Sequence, residues 1–229
     1  RIPDKAVMYL VNALVFDGKW DREYKEYQIR EGKFTTEDGV RQNVDMMHSE
    51  EHTYLEDDMV TGFMKYYKGR QYAFVALLPN EDVSLSKYVE SLPGEQLRKL
   101  INRAQNVPVY ASIPKFETEY SCEMQKALQK MGMTNAFDWR LADFSRLGRY
   151  NADGMNLFIN RVVHKTFISV SEQGTRAGAA TVVEIAPGSA APMEEIKEVV
   201  LNRPFLYMIV DCETGFPIFM GAMRSVNEK

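Results

Sequence analysis

Residues 174–192 read GTRAGAATVVEIAPGSAAP, and this tract constrains the chain more than any other. It is too rich in Ala and Gly to build a core. It is also too apolar for an ordinary linker, which is polar and featureless. Thr175, Ala177, Ala179, Thr181, Val183 and Ile185 recur at every second position and are small or apolar. Arg176 and Glu184 fall on the opposite face, with Gly178, Ala180 and Val182. That alternation belongs to a half-buried strand. A loop of this length inside a compact domain is uncommon and usually functional. The tract therefore reads both as an exposed loop and as a strand small enough to slide between two others. A flexible Ala/Gly linker would not need the alternation.

The rest of the chain mixes elements without regular βαβ alternation. Val7–Phe16 is a nearly continuous apolar run before Asp17-Gly18 and predicts a strand buried on both faces. Gln28–Asp45 predicts exposed turns and short strands, and Tyr72–Leu78 a strand closed by Pro79. Val83–Leu92 and Pro93–Gln105 predict helices, the second placing Leu97, Leu100 and Ile101 on one face after Pro93 in its first turn. Val109–Phe116 predicts a strand, Cys122–Met131 a helix ended by Gly132, and Val162–Val170 a strand. Pro204–Val210 and Pro217–Met223 predict a hairpin joined through Glu213-Thr214-Gly215. This order predicts an α+β fold with large, mostly antiparallel sheets and packed helices in one domain.

Composition excludes several classes. With 28 Lys and Arg against 32 Asp and Glu, the net charge of −4 gives no basic footprint for nucleic acid. The longest apolar runs, such as Phe74–Leu78 and Phe205–Val210, are too short to span a bilayer. Cys122 and Cys212 make no disulfide framework and fit no zinc spacing, and no cofactor motif occurs. The acidic run Glu50–Asp58, with His48 and His52, repeats no ligand spacing and reads as a solvated turn rather than a metal site. Met46, Met47, Met131 and Met133 read as core filler. No Gly-x-Ser-x-Gly elbow or phosphate loop is present, so the chain is not expected to be an enzyme. The chain begins at Arg1 without a signal-like segment, which carries no information on export.

Several collinear segments resemble the serpin family of protease inhibitors. Glu172-Gln173-Gly174-Thr175-Arg176-Ala177-Gly178-Ala179-Ala180-Thr181 is similar to the hinge of an inhibitory reactive-centre loop. Leu10-Val11-Asn12-Ala13 through Gly18-Lys19-Trp20 resembles a strand of the family's main sheet and the turn after it. Val44-Asp45-Met46-Met47 and Pro114-Lys115-Phe116 resemble further signatures, as do Leu128 through Gly132-Met133 and Ala142-Asp143-Phe144-Ser145. Val163-His164-Lys165, Asn202-Arg203-Pro204-Phe205 and Phe219-Met220-Gly221 follow in order.

The resemblance implies that residues 1–229 are the C-terminal part of a single serpin domain, with the N-terminal part missing and the loop at about 174–195. Taken alone, such a chain leaves one face of its main sheet uncovered. The implied function is suicide-substrate inhibition of a serine protease, held as a covalent acyl complex while the cleaved loop inserts into the main sheet. The implied slot lies between Val7–Phe16 and Val162–Val170. Glu172, Gly174, Thr175, Ala177, Ala179, Ala180 and Thr181 form the hinge. The family's spacing places the reactive bond at Gly188–Ser189, with Ala186, Ala190, Ala191 and Met193 as alternatives. Asn12 and His164 are implied to hydrogen-bond across the central strands, Lys115 to meet Glu172 where the loop enters, and Trp20 to pack beneath that point. No Lys or Arg lies between Arg176 and Lys197, and no Asp, which points to proteases with small S1 pockets. The complete protein is expected to be monomeric and extracellular, without nucleic-acid or membrane partners. The alternative is a non-inhibitory serpin acting as chaperone or carrier.

Overall fold

A computed structural model describes residues 8–148, 156–175 and 196–226. Along the chain run β1 (Tyr9–Leu14), β2 (Gly18–Lys19), β3 (Ile29–Thr35), β4 (Arg41–Glu51), β5 (Tyr54–Glu56), β6 (Val60–Tyr66) and β7 (Tyr72–Pro79). Two helices follow, α1 (Leu85–Ser91) and α2 (Gly94–Asn102), then β8 (Val109–Pro114), β9 (Phe116–Glu123) and α3 (Gln125–Lys130). The last strands are β10 (Arg161–Ser171), β11 (Gly174–Thr175), β12 (Lys197–Val200), β13 (Phe205–Asp211) and β14 (Pro217–Met223). The chain divides into two units, Arg1–Val15 with Glu119–Ile168, and Phe16–Thr118 with Ser169–Lys229.

The larger unit is organised by β7 and β13, whose sequences Tyr-Ala-Phe-Val-Ala-Leu-Leu-Pro and Phe-Leu-Tyr-Met-Ile-Val-Asp are apolar at nearly every position. Such runs suit strands covered on both faces. They pair antiparallel at the centre of the sheet β14-β13-β7-β6-β5. Alternate residues divide between the two faces. Ala73, Val75, Leu77, Leu206, Met208 and Val210 join Leu85, Tyr88, Leu97, Leu100 and Ile101 of the helices in one core. Phe74 and Tyr207 face the other way and stack with ring centroids 6.0 Å apart. Phe116 and Trp20 extend this second layer, at 5.3 Å from Tyr207 and 5.9 Å from Phe74. Burial of each large side chain contributes about 1.5–3 kcal/mol. The helices start as their sequences dictate. Ser84 caps α1, its hydroxyl accepting from the Lys87 amide at 3.2 Å. Pro93, expected in the first turn of α2, is its N-cap.

A second sheet of this unit, β12-β8-β4-β3, pairs β12 with β8 in parallel and the others antiparallel. Here β3 and β4 form a longer and more regular ladder than the short strands expected from Gln28–Asp45. The acidic run is not a solvated turn either. Glu50 and Glu51 end β4, while Tyr54 and Leu55 of β5 are buried. The cause is Lys65, which is only 2% exposed and pairs with Glu51 at 2.8 Å. Its ammonium also sits 4.3 Å from the Tyr24 ring centre. Burial lowers the Lys65 pKa, and the Glu51 carboxylate opposes that shift.

In the smaller unit β1 runs parallel to β10, from Tyr9 opposite Arg161 to Leu14 opposite Thr166. β1 was expected to be buried on both faces, yet Leu10 is 43% and Val11 71% exposed. Among the described residues β10 is its single strand neighbour, so nothing there covers an apolar run of this kind. The helix expected from Cys122 starts only at Gln125, because Cys122 and Glu123 complete β9. Its end is as expected. Gly132 takes φ +100°, and the Met133 amide donates to the Leu128 carbonyl at 3.0 Å. Met46 and Met47 are core residues, but Met131 is 82% exposed and Met133 is also exposed, since they lie past the helix end.

Removing the Glu51 carboxylate would strand a buried ammonium. Glu51→Leu should cost about 3–5 kcal/mol in urea unfolding of the full protein, whereas Glu51→Leu combined with Lys65→Met should recover most of it. Equal losses in the single and double variants would show that the pair does not hold this region.

Candidate functional site at the hinge

The first residues of the alanine-rich tract are already a strand. After a turn at Glu172-Gln173, β11 lies antiparallel to the end of β10, Val170 facing Thr175 and Ser171 facing Gly174. On its other side it is antiparallel to β2, with Gly174 opposite Lys19 and Thr175 opposite Gly18. Only glycine fits the first of these positions. Gly174 has φ +152°, and an added Cβ would overlap the Gly18 carbonyl oxygen. Thr175 is wholly buried, and its hydroxyl lies 2.7 Å from the Tyr67 hydroxyl.

The segment after β2 holds the turn through its carbonyls. The Trp20 indole N–H donates to the Ser171 carbonyl at 2.8 Å, and the Trp20 amide donates to the Gln173 carbonyl at 3.1 Å. The Tyr24 amide donates to the Glu172 carbonyl at 2.9 Å. Trp20 is itself fixed by stacking on Tyr67, centroids 4.6 Å apart and planes 14° from parallel. Above the turn, Lys115 meets the Glu172 carboxylate at 2.9 Å, with both side chains about a third exposed. The Lys115 hydrogen bond, aided by the Glu172 backbone amide, lowers the Glu172 pKa. The Gln173 side-chain oxygen is buried without a hydrogen-bond partner.

The structure thus brings together five residues singled out from sequence: Trp20, Lys115, Glu172, Gly174 and Thr175. Ala177, Ala179, Ala180, Thr181, Gly188 and Ser189 lie outside the described residues, as do Ala186, Ala190, Ala191 and Met193. Asn12 and His164 face each other in the β1–β10 register, but their side chains do not hydrogen-bond. Asn12 is exposed, so water can satisfy its amide without His164. Tyr67 and Tyr24 escaped the sequence reading. Tyr67 lies in the β6–β7 turn, within Tyr66-Tyr67-Lys68-Gly69, where no periodicity or motif marks it.

His48 Nδ1 lies 2.6 Å from Ser112 Oγ, but Ser112 is wholly buried between β4 and β12 and no substrate can reach it. Among the described residues no cluster of three His, Cys, Asp or Glu side chains is placed to hold a metal. Cys122 and Cys212 are free and half-buried.

Comparison with known proteins places the chain in a family. The profile of the family described as "Serpin (serine protease inhibitor)" matches residues 1–226. Intracellular coagulation inhibitor 2 of Tachypleus tridentatus is 31% identical over 96% of this chain and 53% of its own length. The crystal structure of tengpin, a thermophilic serpin, in its native state superposes with a TM-score of 0.90 at 44% identity, over 98% of this chain and 57% of that one. Its latent state superposes less closely, with a TM-score of 0.76 over 93% of this chain and 55% of that one, at 39% identity in that alignment. The chain belongs to the serpin family and has the serpin fold. It spans about half the length of the relatives it matches.

Because the Glu172 pKa is lowered, its ion pair stabilises the folded protein fully above the unfolded carboxyl value near 4.3 and is lost as pH falls through the lower folded value. The pair is exposed enough that solvent limits it to about 0–1 kcal/mol. Glu172→Gln should therefore lower the urea midpoint slightly at pH 7 and at low salt, with the difference from wild type vanishing as pH falls through the lowered folded value. A difference that does not shrink as pH falls would assign the effect to packing.

Proposed function

We propose that this chain carries the trapping half of a suicide-substrate inhibitor of serine proteases. The observation that carries the reading is the seated hinge. Gly174 and Thr175 occupy a place one strand wide between β10 and β2, and the tract beyond them continues the same period-two pattern of small residues. Names of matched relatives support inhibition as the family role.

In this reading the protease serine attacks the Gly188 carbonyl carbon, or one a few residues away. The amide bond to Ser189 breaks, and the Ser189 nitrogen leaves with the proton that the protease base took from its serine. Residues up to Gly188 stay attached as an ester. The freed tract then extends β11, parting the ladder of Tyr9–Leu14 against Arg161–Thr166, and gains about 0.5–1.5 kcal/mol net per new backbone hydrogen bond. Small side chains at Ala177, Ala179 and Thr181 keep this rapid relative to ester hydrolysis. The absence of Lys, Arg and Asp between 177 and 196 favours elastase-like or subtilisin-like targets. Asn12 and His164 lie in the ladder that parts, and are proposed to set the ease of its opening. The complete protein is proposed to act as a monomer. An extracellular location finds no support in the comparisons, since one matched relative is named as intracellular. Among the described residues no helix is long and apolar enough to cross a membrane.

The test is incubation of the full protein with an elastase-like protease. An SDS-stable adduct cut at or near Gly188–Ser189, with a large rise in melting temperature of the cleaved protein, is expected. Thr175→Arg would have to bury an unpaired charge, so the variant should still be cleaved but form no adduct. Cleavage of wild type with neither adduct nor thermal gain favours the carrier or chaperone reading. A stable adduct with Thr175→Arg sinks the hinge assignment.

A further inference from the structure

We infer that the Tyr67 hydroxyl is a positioning group for loop insertion, seating Thr175 before any protease acts, so that insertion grows from an anchored end. This rests on the inhibitory reading above, which names the hinge but not what holds it. Thr175 has no exposed surface, and Tyr67 Oη lies 2.7 Å from Thr175 Oγ1. Both hydroxyls are therefore out of reach of water, and each is the other's side-chain partner. Burial drives the Tyr67 pKa far upward, so the phenol stays protonated and able to donate.

The hydroxyl is held at a fixed point. The Tyr67 ring stacks on Trp20 at 4.6 Å and tilts against Phe16 at 4.7 Å. Its amide donates to the Tyr72 carbonyl at 3.0 Å, closing the β6–β7 turn. The Asp21 amide donates to the Tyr66 carbonyl at 2.9 Å and the Lys68 amide to the Lys19 carbonyl at 2.8 Å, tying the same turn to β2 and the residues just after it. One aromatic stack therefore serves two purposes. Trp20 grips the carbonyls of Ser171 and Gln173, and Tyr67 grips the first side chain beyond them.

The kinetic consequence follows from chain entropy. A free loop must first bring its end to the sheet, which carries a closure cost; a seated end adds each further residue next to one already placed. In the race between insertion and ester hydrolysis, the seat favours trapping. The hydroxyl pair also predicts a non-additive mutational pattern. Removing either hydroxyl leaves the other buried and unpaired, whereas replacing both with apolar groups of like shape is nearly neutral. Tyr67→Phe keeps the ring stacking and Thr175→Val keeps the volume.

The experiment is a double-mutant cycle on the full protein with two readouts. In the uncleaved protein, hydrogen exchange of a peptide covering 172–175 should be slow in wild type. It should accelerate about tenfold in Tyr67→Phe and in Thr175→Val, and return toward wild type in the double variant. With an elastase-like protease, the number of inhibitors cleaved per protease trapped should rise several-fold in each single variant and fall back in the double. Unchanged exchange in Tyr67→Phe, or additive effects in the double variant, overturns the inference. Wild type that is cleaved without trapping overturns the inhibitory reading instead, and the exchange cycle then still decides whether Tyr67 seats Thr175. Rescue of exchange without rescue of trapping overturns the proposed effect on insertion.

Discussion

Adding a strand to a sheet requires a gap of two strand spacings, and every backbone atom on both sides must clear the newcomer. At the hinge this condition is met by subtraction of side chains. Gly174 lies opposite Lys19 and Thr175 opposite Gly18 across β2 and β11, where a Cβ on Gly174 would strike the Gly18 carbonyl and one on Gly18 would come within 2.6 Å of the Phe16 ring. The next residue, Thr175, brings a side chain short enough to end on the Tyr67 hydroxyl. The remainder of the tract repeats the same economy of volume, which is why its composition is so unlike a core strand or a polar linker.

The seat is anchored to a buried aromatic layer of the larger unit. Trp20 stacks on Tyr67 and meets Phe74 edge-on, Phe74 stacks on Tyr207, and Tyr207 contacts Phe116. Phe74 and Tyr207 belong to β7 and β13, whose opposite faces are filled by α1 and α2. Aromatic pairs of this geometry contribute about 0.5–1.5 kcal/mol beyond their buried area, and their rings resist displacement because the interior is close-packed. A hinge built on this layer has a fixed floor.

Much of this was legible in the residues. β7, β13 and α2 declare themselves because each satisfies one period over its whole length, with both faces or one stripe apolar. The hinge residues Glu172, Gly174 and Thr175, with Trp20 and Lys115, were reached through collinear motifs, and they do converge. What sequence could not give is what depends on neighbours. β1 has the pattern of a buried strand but only β10 beside it among the described residues, so Leu10 and Val11 stand exposed. Lys65 looks like a surface charge until the fold carries it beneath Tyr24 and onto Glu51. Asn12 and His164 share a register without sharing a bond, because parallel pairing sets backbone partners and leaves an exposed side chain free to choose water. Tyr67 is invisible for the same reason. Its role arises from three segments far apart in the chain, and none of them carries a local signature of it.

Two side-chain pairs at the hinge, Lys115–Glu172 and Tyr67–Thr175, differ in kind. The Lys115–Glu172 pair is exposed, so water replaces most of what is lost when it breaks, and separating it costs little. The Tyr67–Thr175 pair is buried, so neither hydroxyl can leave without losing its partner before water arrives. On the inhibitory reading this ordering is the useful one. Extension of β11 keeps Thr175 where it is and asks only that strands beyond it part, so the costly contact is never broken during trapping. The cheap one can yield as the top of the sheet opens. Withdrawal of the hinge, by contrast, would have to break the buried pair first. On that reading, the asymmetry keeps Thr175 seated while the exposed pair gives way.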